Sequence, residues 1–113
     1  HEPIIYGWFK GGSHNYYGNR KQTTVWDCKR QKKNNLHPTM KPIELIEKAI
    51  LNSSKTEDLL YEPFGGSGST LIACEKQNRI CYNMELDPKY CDVIVKRWEN
   101  FTGKKAELEN GQK

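Results

Sequence analysis

Apolar side chains recur at helical spacing in the stretch before the middle of the chain. Ile43, Ile46 and Ile50 lie three or four residues apart, so they would line one face of a helix. A proline suits the first helical position because its missing N–H would have no partner there in any case. We therefore predict an amphipathic helix over Pro42–Asn52.

The same spacing returns near the carboxyl end of the chain. Asp87 and Pro88 form a good cap and first turn, and they precede a helix whose apolar stripe is Cys91, Ile94, Val95 and Trp98. A further helix is predicted between these two, running to about Gln77 and capped by Ser67 or Ser69.

Short β-prone runs account for the remaining predicted elements. The predicted strands are His1–Trp8, Thr23–Asp27, Asp58–Tyr61 and Arg79–Leu86. We expect loops over Phe9–Gln22 and Cys28–Leu36, and a short strand or frayed tail over Phe101–Lys113. From Asp58 onward the order strand, helix, strand, helix predicts a βαβ unit with a right-handed crossover in a parallel sheet.

The bulk composition limits how much of a domain is present. The chain has 113 residues, 35% of them hydrophobic, and a mean hydropathy of −0.89. These values are lean for a doubly wound sheet, and the chain begins at His1 within a predicted strand. We expect a fragment of a longer protein, with no membrane-spanning segment. Residues 1–36 would supply strand and basic loop, residues 37–113 the βαβ region, both within one incomplete domain.

The cysteines indicate a reducing compartment. Cys28, Cys74, Cys81 and Cys91 contain no C-x-x-C pair, and together with His37 they do not have the spacing of common zinc sites. We therefore expect no metal site. Cys74, Cys81 and Cys91 are predicted to be reduced side chains in buried positions, which favours a cytoplasmic protein.

The glycine-rich stretch Glu62–Thr70 joins a predicted strand to a predicted helix, a junction suited to ligand binding. A phosphate loop would need lysine after the last glycine, where this chain has Ser69. The dinucleotide pattern G-x-G-x-x-G begins at Gly66 but has Leu71 in place of its third glycine. The carboxylate of Glu62 suits a ligand that carries an ammonium group better than one that carries a pyrophosphate.

A second acid is predicted at the same edge of the sheet. Glu85 follows Glu62 by 23 residues and ends the second strand of the βαβ unit. An acid about 20 residues beyond such a loop can accept both hydroxyl groups of a ribose. A nucleoside with a charged, non-phosphate appendage is thus predicted, and S-adenosylmethionine fits this description.

Three segments together resemble the amino-group DNA methyltransferases, which modify adenine N6 or cytosine N4. They are His37–Pro42 (HPTMKP), Glu62–Thr70 (EPFGGSGST) and Glu85–Tyr90 (ELDPKY). Their order is similar to that of the circularly permuted class, in which the catalytic half comes first, and both ends of the chain are similar to phage and bacterial members. The family's catalytic tetrapeptide, an Asp, Asn or Ser before Pro-Pro-aromatic, is absent, so no catalytic residue is assigned here.

The resemblance implies a set of cofactor contacts. Glu62 stands where the family usually has Asp, and Glu85 would bind the ribose. Asp87 would border the adenine, while Thr39 and Lys41 would close over the methionine carboxylate with His37 nearby. The remaining implied residues form the cofactor loop: Phe64, Gly65, Gly66 and Gly68.

The charge distribution favours DNA as a partner. The segment Lys10–Lys41 has eight basic residues and one acid, a net charge of +7, whereas the rest carries ten basic and thirteen acidic side chains, a net of −3. Basic residues interleaved with aromatic ones suit a nucleic-acid backbone, so the stretch Lys10–Lys33 is predicted to contact DNA in the parent protein. A solvated basic loop is the alternative.

The combined prediction is a partial Rossmann-like, S-adenosylmethionine-dependent methyltransferase fold that lacks its catalytic half. We expect the C-terminal part of a site-specific DNA amino-methyltransferase of a restriction-modification type, inactive by itself. The alternative is a non-catalytic nucleotide- or DNA-binding module. An incomplete sheet leaves exposed edges, so a homodimer is also expected.

Overall fold

In the computed structural model, the described residues are 3–12, 15–19, 21–22, 25–28 and 42–109. Regular secondary structure within these ranges comprises three helices and two strands. In chain order they are α1 (Ile43–Ser53), β1 (Leu59–Glu62), α2 (Ser69–Lys76), β2 (Ile80–Asn83) and α3 (Pro88–Thr102). The predicted helices are therefore present to within a residue or two.

The two strands form a parallel pair joined through α2, which confirms the predicted βαβ unit. Leu60 lies beside Cys81 and Glu62 lies beside Asn83 in the register of the pair. The second strand ends at Asn83, so Glu85 lies two residues beyond the strand rather than at its last position. Both acids nevertheless lie at the carboxyl edge of the sheet, as predicted.

A small apolar core lies between α1, α2 and one face of the sheet. Ile50, Ala73 and Cys74 are buried there. Partly buried side chains from both strands and from the stripe of α1 pack around them: Ile43, Ile46, Leu60 and Cys81. The stripe predicted for α1 is thus the face that packs, and burying an isoleucine of this kind contributes about 1.5–3 kcal/mol.

Cys74 and Cys81 meet within this core as free thiols. The hydrogen bond to Cys74 and burial raise the pKa of the Cys81 thiol, while the same hydrogen bond lowers the pKa of Cys74. Cys81 therefore remains protonated at neutral pH. Cys91 is half-buried, and its Sγ lies 3.2 Å from the carbonyl oxygen of Glu85.

The opposite face of the sheet is exposed. Alternate strand residues point away from the core and have between 51% and 64% of their surface accessible: Leu59, Tyr61, Ile80 and Tyr82. Strands that are apolar on both faces are typical of parallel sheets covered on both sides. No element among the described residues covers this face.

Two predicted strands are absent from the described residues. Positions 3–8 belong to no strand, and Ile5 is 95% exposed. Val25–Asp27, the described part of the second predicted strand, is likewise irregular. β-prone residues form a strand only beside a partner strand, and the described part of the chain offers none to these two runs.

Helix ends differ from the predictions in two places. Pro42 is the residue before α1, rather than its first position, and α2 is preceded by Gly68 with a φ of +90°, so neither Ser67 nor Ser69 caps it. The prediction for α3 is confirmed, since Asp87 accepts a hydrogen bond from the amide of Lys89 at 2.9 Å.

The carboxyl-terminal stretch is helical only at its beginning. α3 continues to Thr102 and ends at Gly103, whose φ is +73°. Residues 104–109 form no strand, so the strand option for this tail is wrong within the described residues. None of the helices described here has the length and apolar character needed to span a membrane.

Candidate cofactor site

The glycine-rich loop connects the carboxyl ends of the two strands. The amide of Met84 donates to the carbonyl of Glu62 at 2.8 Å, and the amide of Gly65 donates to the carbonyl of Met84 at 2.7 Å. These bonds extend the parallel pairing past both strands. The loop then turns through a 2.9 Å hydrogen bond from the amide of Gly68 to the carbonyl of Gly65 and enters α2.

Glu85 holds this loop against the start of α3. Its Oε1 accepts a hydrogen bond from the amide of Gly66 at 2.8 Å, and its Oε2 accepts one from the amide of Asp87 at 2.9 Å. A carboxylate has about four lone-pair positions, so these two bonds leave it able to accept further hydroxyl groups. Glu85 is therefore placed where a ligand lying on the loop would meet it.

Glu62 spans the other end of the loop. Its Oε1 accepts from the amide of Phe64 at 3.2 Å, and its Oε2 lies 3.5 Å from the Thr70 hydroxyl in the first turn of α2. Thr70 was not among the predicted site residues. A hydroxyl one turn into a helix gives no signal of this contact in the sequence, because the contact depends on how α2 leaves the loop.

Two of the glycines are required by the packing around the loop. A Cβ atom at Gly65 would lie 2.4–2.9 Å from the side-chain amide of Asn83. A Cβ atom at Gly68 would lie 3.2 Å from Ile94, and the φ of +90° there is one that other residues rarely adopt. The Asn83 Oδ1 is buried and has no hydrogen-bond partner among the described residues.

Arg97 reaches the loop from α3. Its Nη1 lies 3.3 Å from both the carbonyl and the hydroxyl oxygen of Ser67, and 3.2 Å from the hydroxyl of Ser69. Burial lowers the pKa of Arg97 by disfavouring its charged form. The sequence suggested no role for this arginine, which lies 28 and 30 residues beyond its two partners.

The other predicted site residues have different positions. Phe64 is 85% exposed beside the loop, and Leu86 is 98% exposed on the Glu85 side. Asp87 is used as the cap of α3. His37, Thr39 and Lys41 lie outside the described residues, as does most of the basic stretch, of which Lys10 and Lys21 are described and exposed.

A wide cleft of about 690 Å³ lies on the β1 side of the site. Ile5 and Tyr6 line it on one side, and Glu62 and Thr70 line one end of it. The glycines and Glu85 do not line it, so the cleft follows the open edge of β1 and is separate from the surface of the loop. The described residues contain no group of three His, Cys, Asp or Glu side chains able to hold a metal ion.

A family model for DNA methylases matches residues 10–96. The chain belongs to this DNA methylase family. The match includes α1, both strands, the glycine-rich loop and most of α3, so it contains all but the last of the described residues at the candidate site, Arg97.

Curated relatives of the family are type II methyltransferases. M.Cfr9I of Citrobacter freundii is 36% identical over 80 residues, which are 71% of this chain and 27% of that protein. M2.MboI of Moraxella bovis is 30% identical over 89 residues, which are 75% of this chain and 33% of that protein. The chain therefore spans about a quarter to a third of the length of these relatives.

Solved structures agree with the fold. The M1.HpyAVI–SAM complex matches with a TM-score of 0.65 at 24% identity, over 76% of this chain and 44% of that one. At that identity the likeness concerns the fold alone. A DNA modification methylase of Thermus thermophilus, complexed with S-adenosyl-L-methionine, matches with a TM-score of 0.51 at 33% identity, over 53% of this chain and 25% of that one.

Proposed function

We propose that this chain is the S-adenosylmethionine-binding part of a site-specific DNA amino-methyltransferase that modifies adenine N6 or cytosine N4. The observation that carries the proposal is the position of Glu85, whose carboxylate bonds to the glycine-rich loop at Gly66 and to the start of α3 at Asp87. This carboxylate would accept the ribose hydroxyl groups. The family membership and the methyltransferase relatives support the same reaction class.

The donor and acceptor set at the loop suits the two ends of this cofactor. Glu62, at the end of β1, would attract the amino group of the methionine portion, while the loop lies between it and Glu85. Phe64 and Leu86 offer exposed apolar surface on either side of the loop. Leu86 is suited to border an adenine, and Asp87 would act mainly by fixing the chain next to it.

Residues outside the described ranges keep their proposed roles. Thr39 and Lys41 would close over the methionine carboxylate, and His37 would lie nearby. A positively charged lysine is the complement that a carboxylate requires. Under this proposal residues 37–113 form the cofactor-binding region, and residues 1–36 belong to the same incomplete domain.

When bound, S-adenosylmethionine supplies an electrophilic methyl group on a sulfonium. The residues of this chain would hold and orient that group, because positioning accounts for much of the rate of such a transfer. The sequence has no Asp, Asn or Ser followed by Pro-Pro-aromatic, the tetrapeptide that accepts hydrogen bonds from the target amine in this family. We therefore propose that it lies in a catalytic half that precedes this region, and that the fragment alone does not methylate.

DNA contact through Lys10–Lys33 is part of the same proposal. Lys10 and Lys21 are exposed in the structure, as phosphate contacts require. The contact predicts that affinity for duplex DNA falls steeply as salt rises. An affinity that did not change with salt would favour the solvated-loop alternative.

Three finer assignments complete the proposal. The parent would be a permuted enzyme of phage or bacterial type in a restriction-modification system. The free thiols of Cys74 and Cys81 suit the cytoplasm. Because β1 and β2 each have an open edge among the described residues, the fragment would form a homodimer, which light scattering during size-exclusion chromatography would detect.

Calorimetry with S-adenosylhomocysteine tests the central claim. Wild type should bind, and Glu85→Ala should weaken binding by about tenfold or more, since it removes hydrogen bonds to a charged group. Asp92→Ala, which removes an exposed acid from α3, is the matched control and should leave affinity unchanged. Equal binding by wild type and Glu85→Ala would remove Glu85 from the site.

A thermal-shift panel separates the proposal from a general nucleotide-binding module. S-adenosylmethionine and S-adenosylhomocysteine should raise the unfolding temperature, because a ligand that binds only the folded state stabilises it. NAD and ATP should have little effect. Stabilisation by NAD or ATP but by neither adenosyl compound would favour the alternative module.

A further inference from the structure

The glycine-rich loop is held by acids from the strand side and by a cation from α3. Glu62 and Glu85 accept the loop amides of Phe64 and Gly66. Arg97 donates to the carbonyl oxygen of Ser67. The peptide groups of the loop are thus fixed at both their donors and their acceptors.

The contact with Arg97 lies in a protected environment. Ser67 and Ser69 have only 4% and 7% of their surface accessible, and both hydroxyl groups lie within 3.3 Å of the guanidinium. Buried polar groups need hydrogen-bond partners, because an unpaired one costs about 1–3 kcal/mol. Burying a cation is also costly, so this contact is one that packing of α3 maintains against a penalty.

The same face of α3 also supports the next residue of the loop. Ile94 precedes Arg97 by three residues, hence one helical turn, and lies 3.2 Å from where a Cβ of Gly68 would be. Gly68 precedes α2 and has no side chain to cap that helix. Ile94 and Arg97 therefore take the place of a local cap by fixing the loop through packing and hydrogen bonds.

We propose that Arg97 is a positioning residue for the part of the loop that receives the methionine end of the cofactor. It acts through Ser67 and Ser69, without contact to the ligand. This inference rests on the proposed function. It assigns the two ends of the cofactor to different supports: Glu85 fixes the ribose end, and Arg97 sets the loop beneath the methionine end.

The two supports make the inference testable with a pair of ligands. Binding of S-adenosylhomocysteine, which has the amino acid portion, would be compared with binding of adenosine, which lacks it. Arg97→Met keeps the length and apolar stem but removes the donors. We expect it to weaken S-adenosylhomocysteine about tenfold and adenosine less than about twofold, as calorimetry would measure.

Two further variants refine the comparison. Arg97→Lys keeps the charge with fewer donors and should recover part of the lost affinity. Lys96→Met removes a neighbouring exposed cation of α3 and should change neither ligand's affinity. If Arg97→Met does not fold, the double variant Ser67→Ala/Ser69→Ala retains the arginine and should give a smaller loss selective for S-adenosylhomocysteine.

The outcomes are distinct. A loss that is equal for the two ligands, or no loss, would overturn the role of Arg97 while leaving the proposed function intact. Failure of wild type to bind either ligand would overturn the proposed function and this inference with it. A selective loss in Arg97→Met with partial recovery in Arg97→Lys would support the inference.

Discussion

Two regions of the molecule are held together by different forces. In residues 42–109 the helices and the sheet share an apolar core around Ile50, Ala73 and Cys74. The described residues before Pro42 contact the same helix, α1, through polar groups. The amide of Tyr17 donates to the carbonyl of Asn52 at 2.7 Å, and the side-chain amides of Gln22 and Asn52 pair at 2.8 and 2.9 Å.

The difference teaches what makes a β-prone run into a strand. The run Ile4–Tyr6 is as β-prone as the run Leu59–Tyr61, yet only the second run forms a strand. Helix α2 returns the chain so that β2 lies beside β1, and one face of the pair gains the core. The first run has no such crossover among the described residues, so its apolar side chains stay exposed.

Truncation of the core tests this difference with the largest expected effect. Ile50→Ala should lower the free energy of unfolding by about 2–5 kcal/mol because it leaves a cavity between α1 and α2. Ile5→Ala should change it by less than about 0.5 kcal/mol, since that side chain is 95% exposed. Urea unfolding followed by circular dichroism measures both. Similar losses in the two variants would contradict a core confined to the second region.

A glycine pair extends the comparison to the loop. Gly65→Ala should cost about 1–3 kcal/mol and weaken cofactor binding, because the new Cβ meets the Asn83 amide. Gly7→Ala, with no atom within 4 Å of the added Cβ, should be neutral. Thermal unfolding and calorimetry measure the two effects. The double variant Gly65→Ala/Asn83→Ala should recover stability; no recovery would show that Asn83 is not the obstacle.

The polar contact between the regions should have an intermediate effect. Asn52→Ala removes the amide pair and should cost about 1 kcal/mol, mostly by releasing the segment that contains Gln22. Hydrogen exchange of the Tyr17 amide should accelerate while amides in α2 remain protected. Asn100→Ala, at an exposed helical position in α3, is the control. Exchange that accelerated equally in α2 would mean that the two regions unfold together.

The smallest effect is expected at the rim of the core. Lys76 and Glu47 form a 3.0 Å ion pair between α2 and α1, with 46% of the lysine side chain exposed. Lys76→Ala should lower stability by less than about 1 kcal/mol, and salt at about 1 M should erase most of the difference from wild type. Lys96→Ala in α3 is the matched control. A salt-independent loss above about 2 kcal/mol would show that polar contacts hold the second region as strongly as apolar ones.

Much of the site could be predicted from local sequence. Helical periodicity indicated α1 and α3, Asp87 and Pro88 indicated where α3 begins, and the glycine-rich stretch with its two acids indicated the edge of the sheet where they lie. These features depend on neighbours within one or two turns, or on the regular geometry of a βαβ unit. The positions of Glu62 and Glu85 follow from that geometry, although Glu85 lies past the strand.

Only the tertiary structure placed Thr70, Asn83 and Arg97 at the loop. Each acts through a neighbour that is distant in sequence or through the angle at which a helix leaves the loop, and neither leaves a periodic signal. The lack of a strand at residues 3–8 has the same cause, because strand formation depends on a partner strand as well as on the residues themselves. Local chemistry thus determined which residues can serve the site, and packing decided which of them do.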